Sequence, residues 1–203
     1  MKTFSKELKQ HWVDVMQAHQ DADRLIQGSW WSHQKGCFFG CAMQTDDEPL
    51  KKAIAEMQLP AWLVHLSEKI FEGLPKENAL LFPVQLLKAI PTETDISEVE
   101  HIIAVKRLEP LVIESNGDEV NNAIQQVIDY HKNTRRTEEE RKAAYSVVRK
   151  AADLSADSVA RSAHSAADSA RSATVAAARS AVRLADSAVW EQERDNLIQA
   201  LKG

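Results

Sequence analysis

Residues 151–189 read AADLSADSVARSAHSAADSARSATVAAARSAVRLADSAV, and this Ala/Ser-rich stretch decides the fold class. It holds 15 Ala and 8 Ser, and the longer span from Asp118 to Lys202 contains neither Gly nor Pro. Ala has the highest intrinsic helix propensity, whereas Gly and Pro are the residues that interrupt helices. The sequence therefore predicts that the C-terminal third is one long helix.

A row of small side chains repeats along this predicted helix in alternating steps of four and three residues. That spacing is the seam of a coiled coil, here filled by Ala instead of Leu. Small side chains let a second backbone approach closely, although each buried methyl group contributes only about 0.8 kcal/mol. We interpret the row as an interaction seam, which consists of Ala156, Ala160, Ala163, Ala167, Ala170, Ala177, Ala181, Leu184 and Ala188.

The predicted helix is longer than the rest of the chain can cover. It begins near 137, where Thr137 and Glu140 form a T-x-x-E capping box, and it runs to about 201. At about 1.5 Å per residue it would span roughly 95 Å. We therefore expect a homo-oligomer that forms through the C-terminal helix. The alternatives are a break that folds the helix back onto the body and a solvated helix.

Helical periodicity also runs through residues 1–135, so the fold class is predicted to be all-α. We divide the chain into an acidic, compact, multi-helix body, residues 1–135, and the long Ala/Ser-rich helix, residues 136–203. Gly28 is predicted to end the first helix, and Gly73 to end another in a left-handed conformation. Within the body we expect at most one short strand, at 111–113. The predicted helices cover about 4–27, 49–58, 60–72, 77–90, a segment that starts at Asp95, and 118–132, and the stretch 30–43 is predicted to be a loop that leads into a short buried helix.

Charge and hydropathy exclude several classes of partner. The net charge is −5, and the acidic excess lies in residues 1–135, which carry 14 basic and 20 acidic side chains. Nonspecific binding to nucleic acid or to an anionic membrane is therefore not expected. No apolar run approaches 18 residues, the first residues lack the apolar core of a signal peptide, and there are two Cys. These features indicate a cytoplasmic protein that does not span a membrane.

Three potential metal ligands lie close together after the first predicted helix. His33, Cys37 and Cys41 are spaced by four residues, so a helical stretch would place all three on one face. Cys and His are zinc ligands, and a fourth ligand could come from His11, His19 or His65. Burial in the core is the more common situation for free Cys. A redox or nucleophilic role for a Cys is the third alternative.

The stretch Trp31-Ser-His-Gln-Lys-Gly-Cys-Phe-Phe-Gly-Cys, followed by Ile70-Phe-Glu-Gly-Leu-Pro, resembles a family of uncharacterised bacterial and phage proteins. Members share a W…GKGCxxGC stretch, an FEGLP-like turn and an Ala-rich C-terminal tail. The resemblance covers roughly residues 24–92 and the composition of the tail, and Gln34 departs from the pattern. It implies a bacterial or prophage origin and carries no catalytic residue.

These patterns support three functional hypotheses. The first is a non-enzymatic interaction or oligomerisation protein that needs no cofactor and has no catalytic residue. The alternative is a metal-binding, zinc-class protein or a thiol-dependent protein that uses the region of His33, Cys37 and Cys41. The third is a phage-encoded inhibitor of a host system, suggested by the acidic body.

Overall fold

The structure, a computed structural model, describes residues 4–112, 118–133, 137, 139, 140, 142, 143, 146 and 175–203. Over these residues the chain is mostly α-helical, which confirms the predicted all-α class. The α-helices are α1 Lys6–Asp21, α2 Phe38–Met43, α3 Pro49–Glu56, α4 Ala61–Gly73, α5 Lys76–Ala89, α6 Ser97–Leu108, α7 Asp118–Lys132 and α8 Val175–Lys202. A 3-10 turn, Glu109–Leu111, follows α6, and two short strands are β1 Trp31–Ser32 and β2 Lys35–Gly36.

The chain divides into two compact units. The first unit comprises Met1–Glu100 and Leu184–Gly203, and the second comprises His101–Arg183. The end of the predicted long helix therefore belongs to the same unit as the N-terminal part of the chain.

The core of the first unit is built around the short helix α2. Phe38 and Phe39 are fully buried and stack with ring centroids 4.1 Å apart. Phe82 of α5 contacts Phe38 edge-on at 6.4 Å. The sequence predicted a loop that leads into a short buried helix here, and α2 confirms the helix. Because α2 lies within this aromatic core, the residues at its N-terminus are held in fixed positions.

The segment before α2 contains a hairpin that the sequence did not predict. Trp31 pairs with Gly36, and Ser32 pairs with Lys35, in an antiparallel arrangement. His33 and Gln34 form the two-residue turn with φ of 50° and 62°. Strands of two residues are too short to show an alternating pattern, and the turn lacks the Asn-Gly or Asp-Gly that marks such hairpins. At 111–113, where a strand was expected, Leu111 ends the 3-10 turn and Ile113 lies outside the described residues.

Helix α1 is shorter than predicted, because it ends at Asp21 and not near Gly28. Asp23 adopts a left-handed conformation, with φ of 52°, that stops the helix. Asp tolerates this conformation better than most residues, since its short polar side chain bonds locally. The following residues extend and pair with β2, through hydrogen bonds from the Ile26 N–H to the Gly36 carbonyl (2.8 Å) and from the Gly36 N–H to the Arg24 carbonyl (3.0 Å).

Gly73 was predicted as a left-handed helix terminator, but it is the last helical residue of α4. A Cβ at this position would overlap the indole ring of Trp190, which belongs to α8. Asn78 donates a hydrogen bond to the carboxylate of Glu191, and Leu197 is fully buried. The end of α8 therefore packs closely on α4 and α5, with Gly73 providing the space for Trp190.

The second unit contains α7, the part of α6 from His101 onward and the first residues of α8. Lys132 of α7 forms a salt bridge of 2.8 Å with Glu109. The predicted capping box is confirmed, because the Glu140 N–H donates to the Thr137 hydroxyl (3.1 Å) and the Thr137 N–H donates to the Glu140 carboxylate (2.8 Å). Among the described residues, no helix is long and apolar enough to cross a membrane.

Much of the predicted seam lies outside the described residues, namely Ala156, Ala160, Ala163, Ala167 and Ala170. The next three seam residues, Ala177, Ala181 and Leu184, belong to α8, and Ala188 is exposed. The continuity of the helix from 137 to 201 and its pairing with another chain stay predictions.

Candidate metal centre and adjoining cavity

Cys37 lies at the N-cap of α2, immediately before the aromatic core. Its backbone N–H donates to the carbonyls of Ser29 (2.7 Å) and Trp30 (3.2 Å), and its Sγ accepts a hydrogen bond from the Gly40 N–H (3.4 Å). The side chain is 1% exposed. Both backbone and thiol are thus fixed by local hydrogen bonds.

Two carboxylates from α4 meet this thiol. Glu68 and Glu72 are one helical turn apart, so both project from the same face of α4. Single ligand atoms of Cys37, Glu68 and Glu72 all lie within 4.8 Å of one another. Glu68 is 6% exposed, whereas Glu72 is exposed and accepts a hydrogen bond from the Gly28 N–H (2.8 Å). The three side chains form what we call the Cys37 cluster.

The cluster brings three acidic groups together, and two of them, Cys37 and Glu68, are buried. Burial, with a smaller contribution from the neighbouring Glu72, raises the pKa of Glu68 to about 7, although the Cys37 thiol and the Phe39 N–H act in the opposite direction. Burial also raises the pKa of the Cys37 thiol, and the carboxylate of Glu68 adds to that effect. The pKa of Glu72 is raised as well, chiefly because its carboxylate is partly screened from water although the residue as a whole is exposed. A divalent cation would reverse all three effects, because it stabilises each charged form.

Glu68 also has an unsatisfied atom. Its Oε2 is buried and has no hydrogen-bond partner among the described residues. Leaving a buried carboxyl oxygen unpaired costs roughly 1–3 kcal/mol. Such a group needs an explanation, and a bound ion or water is the usual one.

The cluster forms part of the wall of a cavity of about 600 Å³. The described residues that line it include three carboxylates and two indoles, and none of them is basic. Volumes of a few hundred cubic ångströms are typical of small-ligand sites. The lining consists of Gly28, Ser29, Trp30, Trp31, Ser32, Cys37, Asp46, Glu68 and Glu72.

The backbone of Trp30 is tightly enclosed on one side of this cavity. A Cβ at Gly36 or at Gly40 would overlap the Trp30 carbonyl. The two glycines come from different elements, since Gly36 is in β2 and Gly40 is in α2, and both leave room for the Trp30 carbonyl.

The structure separates the three ligands predicted from the sequence. His33 is exposed in the hairpin turn, where its Nδ1 contacts the Ser32 hydroxyl at 2.8 Å. Cys41 is buried, and its thiol donates to the carbonyls of Gly36 (3.2 Å) and Arg24 (3.5 Å). Burial raises the pKa of Cys41 to about 12. Among the described residues, Cys37 alone of the predicted trio belongs to the cluster.

The three histidines considered as a fourth ligand also lie outside the cluster. His11 and His65 are exposed, whereas His19 is buried and contacts the ring of Trp31 edge-on at 5.7 Å. Burial lowers the pKa of His19, and the nearby Arg24 lowers it further. His19 therefore helps to fix the ring of Trp31, a residue of the cavity lining.

Glu68 and Glu72 were missed by the sequence analysis, although one signal was present. Glu68 lies four residues after Val64 and three before Phe71, and both of these are buried. A carboxylate on the apolar face of a helix is costly to bury unless it has a partner. That position, followed by a second Glu one turn later, indicated a site on α4.

Comparison of the chain with protein-family models, with curated proteins and with solved structures finds no match. The resemblance to the uncharacterised bacterial and phage family therefore stays a prediction.

Proposed function

We propose that this protein binds a divalent metal ion of the zinc class through Cys37, Glu68 and Glu72. The observation that carries the proposal is the buried carboxyl of Glu68, whose Oε2 lacks a partner among the described residues beside a thiol and a second carboxylate. A cation at this point would give that oxygen a partner and neutralise the cluster.

The donor set favours zinc over magnesium or calcium. Thiolate is a soft ligand that selects zinc and related transition metals, whereas magnesium and calcium take oxygen ligands. Bond lengths of about 2.0–2.3 Å place the ligands of one tetrahedral zinc roughly 3–4 Å apart. The separations of up to 4.8 Å in the cluster therefore require a small closing movement, which the exposed side chain of Glu72 can provide.

Three protein ligands leave a fourth coordination position. The same three side chains line the cavity, so that position would be accessible to a ligand from the cavity. This arrangement supports metal binding with an accessible face more than a closed structural zinc site.

Zinc binding to the purified full chain, measured by equilibrium dialysis with metal analysis, tests the proposal. We expect one zinc ion per chain, and we expect Cys37→Ser to reduce the affinity at least about tenfold, as loss of a direct ligand should. Cys41→Ser is the matched control, because Cys41 is equally buried but outside the cluster. Glu68→Gln should also weaken binding, whereas Glu56→Gln, which changes an exposed Glu, should not.

Two results would contradict the proposal. One is the absence of stoichiometric zinc binding by the wild-type chain. The other is a loss of binding in Cys41→Ser with none in Cys37→Ser, which would show that Cys41 and not Cys37 is the thiolate ligand.

A further inference from the structure

The cavity beside the Cys37 cluster has a lining with a distinct chemistry. Its lining includes two tryptophans, Trp30 and Trp31, and three acidic residues, Asp46, Glu68 and Glu72. No basic side chain belongs to the described lining, so an anionic ligand would meet only repulsion there. Aromatic rings combined with carboxylates are the surroundings that recognise an organic ammonium group.

Trp30 is available to such a ligand. It is one of the large hydrophobic side chains that stay exposed, at 41%. Its carbonyl accepts a hydrogen bond from the Cys37 N–H. The same carbonyl lies so close to Gly36 and Gly40 that neither position has room for a Cβ. An exposed indole on a fixed backbone is a preformed contact surface, which lowers the entropic cost of binding.

The other wall is also held in place. The ring of Trp31 is contacted edge-on by the buried His19, with an interplanar angle of 86°. Glu68, which is 6% exposed, also belongs to the lining, and its buried Oε2 has no hydrogen-bond partner among the described residues. The described lining therefore combines two tryptophans with three acidic residues, and it contains no basic residue.

We propose that this cavity binds a small organic cation of the ammonium class, held between the indoles of Trp30 and Trp31 and the carboxylates of Asp46, Glu68 and Glu72. The site is compatible with a metal ion at the floor. A divalent ion bound by one thiolate and two carboxylates still leaves one negative charge, and Asp46 adds a second. Binding of an organic cation is thus a property distinct from metal binding, and its affinity can be measured in the metal-free protein.

Calorimetric titration of the chelator-treated full chain with choline tests this inference. The uncharged carbon isostere dimethylbutanol has the same shape without the charge, and acetate has the opposite charge. We expect saturable binding of choline, binding of the isostere weaker by roughly tenfold, and no binding of acetate. Equal affinity for choline and its isostere would overturn the proposal, because it would show a cavity that recognises shape alone.

Two pairs of variants locate the bound cation. Trp30→Leu keeps an apolar side chain but removes the ring, and it should weaken choline binding by roughly tenfold, while Trp62→Leu, outside the lining, should leave it unchanged. Asp46→Asn should weaken binding several-fold, whereas Asp47→Asn, the same change one residue along, should have no effect. Asp46 is exposed, so this variant should fold even if Trp30→Leu does not. Unchanged affinity in Asp46→Asn and Trp30→Leu would overturn the proposal.

The outcome is separable from that of the metal proposal. Choline binding without zinc binding would support the cation site in the cavity and contradict the metal site. Zinc binding without choline binding would support the metal site and contradict the cation site.

Discussion

The Sγ of Cys37 and a carboxylate oxygen of Glu68 lie within 4.8 Å of each other in a place that is almost closed to solvent. Burial raises the pKa of both groups, and the Glu68 carboxylate raises the pKa of the Cys37 thiol further. Folding brings together groups that repel when ionised, and this relationship has consequences for stability, for thiol reactivity and for metal binding.

Replacing Glu68 by Gln should change how stability depends on pH in the metal-free protein. Folding raises the pKa of Glu68 from 4.5 to about 7, so between these pH values the folded chain keeps a proton that the unfolded chain has lost. Wild-type stability therefore falls as pH rises through this window. Glu68→Gln lacks this loss, so it should gain about 3 kcal/mol over wild type between pH 4 and 8, at about 1.36 kcal/mol per pKa unit.

Urea unfolding of both proteins at several pH values, with a chelator present, measures this gain. His19 titrates in the opposite sense, because its pKa is lowered by burial, but it is present in both proteins and cancels in the difference. Glu56→Gln is the control for loss of an exposed carboxylate. A difference between wild type and Glu68→Gln that does not vary with pH would contradict the burial of a titrating Glu68.

Neither thiol should react readily in the native protein. Cys37 and Cys41 are buried, and burial raises the pKa of each, so little thiolate exists at neutral pH. We expect slow reaction with a disulfide reagent at pH 7.5 and two fast-reacting thiols in denaturant. A native thiol that reacts as fast as the unfolded chain would favour the thiol-dependent function over the metal site.

The substitution Gly73→Ala should destabilise the protein through Trp190. In a free helix this substitution would stabilise by roughly 0.5–1 kcal/mol, because Ala is the better helix former. Here the added Cβ would overlap the indole, so we expect a loss of roughly 1–3 kcal/mol from overpacking.

Chemical unfolding of Gly73→Ala, Trp190→Ala and the double variant measures the coupling between the two positions. In the Trp190→Ala background the substitution Gly73→Ala should cost nothing, because the indole that the added Cβ would meet is gone. An equal loss in both backgrounds would contradict the packing of α8 on α4.

Self-association through the Ala seam stays a prediction from the sequence. Charged side chains at two seam positions, Ala163→Glu with Ala167→Glu, should abolish oligomers, whereas the same change at Ser158 and Ser162, outside the seam, should not. Light scattering of the three proteins measures this. A wild-type chain that is monomeric over the whole concentration range would remove the interaction hypothesis.

Most of the helices could be predicted from the sequence, because they depend on local patterns. The start of α7 at Asp118 is marked by a residue type that favours helix N-termini, and the capping box is marked by Thr137 and Glu140, which bond to each other's N–H groups. The helix ends that were predicted wrongly, those of α1 and α4, depend on tertiary contacts. Helix α1 stops at Asp21 because the next residues pair with β2, and Gly73 stays helical because Trp190, distant in sequence, covers it.

The candidate site could be predicted only in part. Cys37 was identified because Cys and His are zinc ligands and the three residues are four apart, but periodicity alone could not show that His33 lies in a hairpin turn. The two glutamates come from another helix, and their meeting with Cys37 depends on how α2 and α4 pack. Ligands so distant along the chain leave no spacing pattern to recognise.

Cobalt substitution tests the central claim most directly, because a Co²⁺–thiolate bond produces an intense near-ultraviolet charge-transfer band. Titration of the chelated full chain with Co²⁺ should give one such band that saturates at one equivalent, persists in Cys41→Ser and is absent from Cys37→Ser. Glu68→Gln should retain the band with weaker affinity, since it removes an oxygen ligand and leaves the thiolate. No charge-transfer band in the wild-type chain, or the same band in Cys37→Ser, would contradict a metal site built on Cys37, Glu68 and Glu72.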